Sequence, residues 1–180
     1  MKENDGKRNG KGKEYNDNAK LICEGEYLNG KYNGKGKKYF DNGILCYEGG
    51  FLDGKYNGYG KEYFKNGKIL YEGEWLNGKS NGKGKEYNRN GNFVFEGEYK
   101  NNERYFGIKK EYYDNGNILF EGELIKGGKN GEGKEYYDNG QLKYEGEYIN
   151  GKWNGEGKEY IDNGVLIHEA EYLNGKWNGY

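Results

Sequence analysis

The chain has 180 residues, with 29 basic against 30 acidic side chains, 35 Gly, 21 Tyr, 3 Trp and no Pro. Only 32% of it is apolar, which argues against the core of an α/β enzyme or a helical bundle. The balanced charge argues against a charge-driven disordered chain and a general nucleic-acid-binding face, and two Cys do not make a disulfide scaffold.

Met1 to Lys13 is rich in Lys, Asn and Gly and carries no apolar signal segment, and no run approaches the roughly 18 apolar residues of a spanning helix. The expected location is therefore cytoplasmic, with membrane-peripheral contact as the alternative. Residues 1–6 read as the tail of a preceding repeat copy. From Lys7 the chain repeats with a period of 24, in copies 7–30, 31–54, 55–78, 79–102, 104–127, 128–151 and 152–175, followed by a partial copy 176–180. Glu103 is a one-residue insertion, and the fifth copy is degenerate, with Phe106 and Lys109 at an Asn and a Gly position. No linker interrupts the array, so one repeat domain over 1–180 is expected.

Each copy predicts a β-hairpin. Its first strand ends on a Tyr present in every copy: Tyr15, Tyr39, Tyr63, Tyr87, Tyr112, Tyr136 and Tyr160. An Asn-Gly turn follows, as in Asp41-Asn42-Gly43, because both residues tolerate positive φ. Next comes a strand such as Ile69-Leu70-Tyr71-Glu72-Gly73-Glu74-Trp75, and a Leu-Asn-Gly-Lys turn leads into the next copy. If Asn-Gly is a two-residue turn, Lys61 faces Glu72 and Lys85 faces Glu96. On the opposite face Tyr71, Gly73 and Trp75 alternate outward across from Gly58 and Gly60, whose missing side chains leave room for the rings. Single hairpins are marginal, so stacking is required. The expected fold is all-β: an elongated single-layer antiparallel sheet of tandem β-hairpins, with no helices of note.

The segment Tyr71 to Gly84, Y-E-G-E-W-L-N-G-K-S-N-G-K-G, resembles the MORN repeat (membrane occupation and recognition nexus), and similar segments recur at Tyr47–Gly60 and Tyr144–Gly157. The unit with an added Asp-Asn-Gly turn is similar to the bacterial, antitoxin-like variant. The resemblance implies a hairpin array that self-associates or binds partner proteins. It also implies phospholipid binding, or inhibition of a partner protein, as alternatives to a scaffold. No catalytic domain of the kinds found beside such arrays is expected in these 180 residues.

Several motifs are better read as structure than as chemistry. Gly73 to Ser80 matches the phosphate-binding loop pattern letter for letter, but Gly25–Tyr32 and Gly146–Trp153 carry an aromatic residue at the hydroxyl position, and no helix is predicted after it. Ser80, His168 and Cys23 fall in different copies and form no nucleophilic pair. Glu72 and Glu74 belong to a ladder that recurs in most copies. Cys23 and Cys46 are expected to be reduced packing thiols. No cofactor or metal motif is recognised, and the chain is expected not to be an enzyme.

Two surfaces carry functional expectations. One is an aromatic row of Tyr47, Phe51, Tyr71, Trp75, Phe95, Tyr99, Phe120, Tyr144, Tyr148 and Tyr172, which a single-layer sheet leaves for a partner protein to cover. The other is a basic rim of Lys31, Lys55, Lys79, Arg104, Lys152 and Lys176, suited to acidic headgroups. Open sheet edges at the terminal copies also suggest homo-oligomers.

Overall fold

A computed structural model describes residues 7–178 and the backbone of residues 2–4. The other residues of the expected leading partial copy, with Gly179 and Tyr180 of the trailing one, lie outside the described residues. The described chain is all-β, and its strands pair as consecutive antiparallel hairpins. It falls into two compact units that divide β9 (Phe93–Lys100) between them. The division lies at the inserted Glu103 and the degenerate copy that follows it, a feature not drawn from the unbroken composition.

The first unit contains β1 (Lys2–Asn4), β2 (Lys7–Tyr15), β3 (Leu21–Leu28), β4 (Lys31–Tyr39), β5 (Leu45–Leu52), β6 (Lys55–Tyr63), β7 (Ile69–Leu76) and β8 (Lys79–Tyr87). The second contains β10 (Glu103–Tyr112), β11 (Ile118–Ile125), β12 (Gly128–Tyr136), β13 (Leu142–Ile149), β14 (Lys152–Tyr160), β15 (Leu166–Leu173) and β16 (Lys176–Trp177). The inserted Glu103 is absorbed at the head of β10, which is 10 residues long where its counterparts have 9.

Turn chemistry sets the register, by a route that differs from the expected one. In the copy around Asn66-Gly67, the Gly67 amide donates to the Phe64 carbonyl and the Phe64 amide to the Lys68 carbonyl. That is a three-residue loop closed by Gly67 at φ +83°, not a two-residue turn. The expected pair Lys61↔Glu72 nevertheless forms, because a bulge beyond Tyr63↔Ile69 restores the register. Two departures of one residue cancel. The other turn behaves as read: Asn77 and Gly78 both take positive φ between paired Leu76 and Lys79.

The turns that close the copies are also tied back to the first strand of the same copy. The Asn57 side-chain oxygen accepts from the Asn77 amide at the end of its copy, and Asn9, Asn81 and Asn130 do the same for Asn29, Asn101 and Asn150. This explains the Asn before each repeat's first glycine. The fifth copy, with Phe106 there, has no side-chain acceptor to offer.

The core is one face of the sheet. Tyr47, Phe95, Phe120 and Tyr144 are 0% exposed although no second layer covers them. The rings lie flat on backbone. A Cβ placed on Gly84 would stand 2.5 Å from the Tyr71 ring, and one on Gly157 would stand 2.6 Å from the Tyr144 ring. A second ring then seals each edge, as Trp75 does against Tyr71 at 5.1 Å and 84°. Tyr47 stacks on Tyr56 at 3.6 Å, and Tyr144 on Trp153 at 4.2 Å. Such ring pairs contribute about 0.5–1.5 kcal/mol each beyond their burial.

Candidate functional site

Alternation along each strand sends the carboxylates of Glu72 and Glu74 to the face opposite Tyr71 and Trp75. That opposite face is the open one. Its outer band is a repeated three-residue unit. Glu48 accepts from the Tyr63 hydroxyl at 2.7 Å and pairs with Lys37 at 3.5 Å, and Glu24 is held likewise by Tyr39 and Lys13. In the second unit Tyr136 and Lys110 hold Glu121, and Tyr160 and Lys134 hold Glu145. The Tyr63 hydroxyl first, with Lys37, keeps Glu48 below the usual carboxylate range, and Tyr39 and Lys13 do the same to Glu24. The Tyr that ends the first strand therefore has a task the sequence did not assign. Tyr39, Tyr63, Tyr87, Tyr136 and Tyr160 each tie their hairpin to the one before it.

Inside this band the open face forms a glycine-floored groove in each unit, of about 700 Å³ in the first and 670 Å³ in the second. The first groove is lined by five lysines and three glutamates, the second by two lysines and six glutamates. The sign of the two grooves is opposite.

The difference sits in one row of residues. In the first unit Lys11 faces Glu26 and Tyr59 faces Glu74 across the strands. The Glu26 and Glu74 carboxylates also accept from the backbone amides of Lys35 and Lys83, at 3.4 and 3.3 Å. In the second unit Glu132 faces Glu147 and Glu156 faces Glu171. Tyr59 is 56% exposed at the β6 end of the first groove, and Ile108 is 45% exposed at the β10 end of the second. Composition hid both. The available signal was that Tyr59 and Ile108 stand where other copies carry Lys or Glu.

The aromatic row is brought together as expected, but into the protein. Tyr47, Phe51, Tyr71, Trp75, Phe95, Tyr99, Phe120, Tyr144, Tyr148 and Tyr172 are all buried, at 7% exposure or less. The expectation that a partner must cover them is corrected: rings stacked on glycine backbone cover one another, and they offer a partner almost no surface. Within the core, the Tyr99 and Tyr172 hydroxyls donate to Glu86 and Glu159, at 3.0 and 3.3 Å. Glu62 occupies the same position beneath Trp75, whose indole N–H reaches the Gly60 carbonyl instead. Burial alone pushes the Glu62 carboxyl above its ordinary range.

The lysines of the expected basic rim stand at strand heads within each unit. Lys31, Lys55, Lys79, Lys152 and Lys176 are exposed at the head of their strands. Each faces an exposed Leu28, Leu52, Leu76, Ile149 or Leu173 across the turn. Arg104 differs: its guanidinium lies 5.7 Å from the Phe95 ring centre. The apolar partners of the lysines went unread because each lies one residue past its strand's last core ring, where alternation turns it outward.

No arrangement for covalent chemistry is found among the described residues. Ser80 is buried, bonding the Asn102 side chain through its amide and hydroxyl. Strand β8, not a helix, follows the Gly73–Ser80 segment. His168 stacks on Trp177 at 5.2 Å. Cys23 and Cys46 are free thiols, with Cys23 buried and pushed up by burial. No helix among the described residues is long and apolar enough to cross a membrane.

Comparison with family models matches the MORN repeat over residues 4–19, 23–44, 47–69, 71–93 and 144–165, and the MORN repeat variant over 107–125 and 129–150. The variant matches fall in the second unit, on the degenerate copy and the copy after it. No curated protein matches the chain.

Proposed function

We propose that this chain, which belongs to the MORN-repeat family, is a non-catalytic scaffold whose open, glycine-floored face binds a partner protein. The family itself suggests a repeat scaffold for protein or membrane interaction. The observation that carries the protein reading is Tyr59. It is an aromatic side chain, 56% exposed, facing Glu74 and two residues from Lys61 at the β6 end of a groove lined by lysines and glutamates. Exposed aromatics of this kind anchor protein interfaces, because they bring large contact area at small entropic cost. The aromatic row acts beneath the face and gives it shape.

Affinity capture with wild type beside Tyr59→Ala and Trp75→Phe tests the reading. A protein retained by wild type and by Trp75→Phe, and lost with Tyr59→Ala, is the expected result. Retention indifferent to Tyr59 rejects the groove.

A second reading rests on the rim. Leu28, Leu52 and Leu76 alternate with Lys31, Lys55 and Lys79, so apolar and basic groups share one exposed edge. That pattern suits an acidic phospholipid surface. Pelleting with anionic vesicles should then fall with added salt and fall further in Leu52→Ser/Leu76→Ser. Binding insensitive to both changes removes the lipid reading.

A further inference from the structure

The groove of the second unit carries a charge pattern that is unfavourable in the free protein. Across β11 to β15 the open face presents Glu123, Glu132, Glu147, Glu156 and Glu171 with no cation interposed. Glu132 stands directly opposite Glu147, and Glu156 directly opposite Glu171. Like charges placed directly across a strand pair are destabilising. The lysines nearby are committed elsewhere. Lys110, Lys134 and Lys158 pair with Glu121, Glu145 and Glu169, at 2.7, 3.2 and 3.4 Å. The same row in the first unit offsets its glutamates with Lys11, Lys35 and Lys83, so the fold does not demand glutamate there.

We propose that this groove docks a basic, extended peptide segment of a partner protein, laid across the strands with a cationic side chain over each glutamate pair. The proposal deepens the partner-binding reading and rests on it. Charge complementarity selects the occupant, and geometry restricts its form. The two glutamate pairs are two strands apart, about 9.6 Å at ordinary strand spacing. A polyproline II segment returns a side chain to the same side every third residue, about 9.3 Å along its axis. Lysine or arginine at every third position therefore keeps step with the glutamate pairs. The floor is backbone at Gly122, Gly133, Gly146 and Gly157, whose missing side chains make room for the rings on the other face and not for the groove. Ile108 at one end supplies an apolar contact. A metal ion is a poorer occupant, since the described residues contain no group of three or more metal-ligating side chains. An acidic membrane surface is repelled.

The test uses the full chain and a fluorescein-labelled peptide of four Lys-Pro-Pro units, read by fluorescence anisotropy at low and physiological salt. Binding should weaken as salt rises, and a Glu-Pro-Pro peptide of the same length should not bind. Glu132→Gln/Glu156→Gln should weaken the lysine peptide about tenfold or more. The same variant should unfold at a higher temperature than wild type, which shows that the loss is not misfolding. Lys11→Gln/Lys35→Gln in the first unit should leave affinity within about twofold of wild type. Unchanged affinity in the glutamine variant overturns the proposal, as does absence of binding at low salt. Displacement by spermine at matched charge overturns the peptide assignment, because the face would then be reading charge alone. Loss of Tyr59-dependent capture leaves these outcomes unaffected, so the two readings fail separately.

Discussion

The two units share a core plan and differ on their open faces. Each lays rings on glycine backbone, Tyr47 and Tyr71 in one and Phe120 and Tyr144 in the other. Each repeats the Lys–Glu–Tyr band on the face opposite that core. Yet the central row passes through Lys11, Glu26, Lys35, Tyr59, Glu74 and Lys83 in the first unit, and through Ile108 and then glutamates alone in the second. The core face tolerates little change because rings and glycines must fit within fractions of an ångström. The open face has no such constraint, so charge there is free to differ. A difference confined to the unconstrained face is where a repeat array acquires specificity.

The largest test is whether the cores are equivalent. Gly84→Ala and Gly157→Ala each drive a methyl into a buried Tyr ring, and each should cost about 2–3 kcal/mol in urea unfolding. A cost confined to one unit breaks the claim of a common core. Charge exchange on the open face comes next. Lys11→Glu/Lys35→Glu, which imposes the second unit's pattern on the first, should destabilise by about 0.5–1 kcal/mol. Glu132→Lys/Glu156→Lys should stabilise by a similar amount, and salt should shrink both effects. Equal signs for the two exchanges would remove the charge contrast.

Acidification sharpens the comparison in another way. Glu24, Glu48, Glu121 and Glu145 have carboxyls lowered by tyrosine and lysine partners. The stability they contribute is full above the unfolded carboxylate pKa, about 4.3, and is lost as pH falls through the lower folded values. Tyr39→Phe/Tyr63→Phe in the first unit and Tyr136→Phe/Tyr160→Phe in the second should flatten this acid limb to similar degrees, followed by circular dichroism. Glu62 acts in the opposite direction. Its raised pKa makes the ionised form a cost to the fold, and that cost disappears as pH falls through the folded value. Glu62→Gln should stabilise at neutral pH and lose that advantage in acid, whereas Glu159→Gln, whose residue accepts from Tyr172, should not stabilise. The smallest effect is expected at Tyr148, whose buried hydroxyl has no hydrogen-bond partner. Tyr148→Phe should change stability by no more than about 0.5 kcal/mol, or raise it.

Much of this molecule is written in local chemistry. The period, the strand ends at Tyr63 and its counterparts, and the pairing of Lys61 with Glu72 all follow from residues close in the chain. So does the alternation that separates Tyr71 and Trp75 from Glu72 and Glu74. The membership that the family models show was already legible in Tyr71 to Gly84. The three-residue loop at Asn66-Gly67 was misjudged without harm, because a bulge one pair further on restores the register, and a bulge leaves no mark in a sequence of alternating residues.

The sequence by itself determined that the chain folds as tandem hairpins with rings on one face and charges on the other, because side-chain alternation and turn preference act over a few residues. Only the tertiary structure decided which face is free. How completely Tyr47, Phe120 and Tyr144 are covered depends on ring packing between copies and on the depth of the glycine floor. The exposure of Tyr59 and the facing of Glu132 with Glu147 likewise depend on register between strands. Those are distances between segments brought together by folding, and no local pattern carries them.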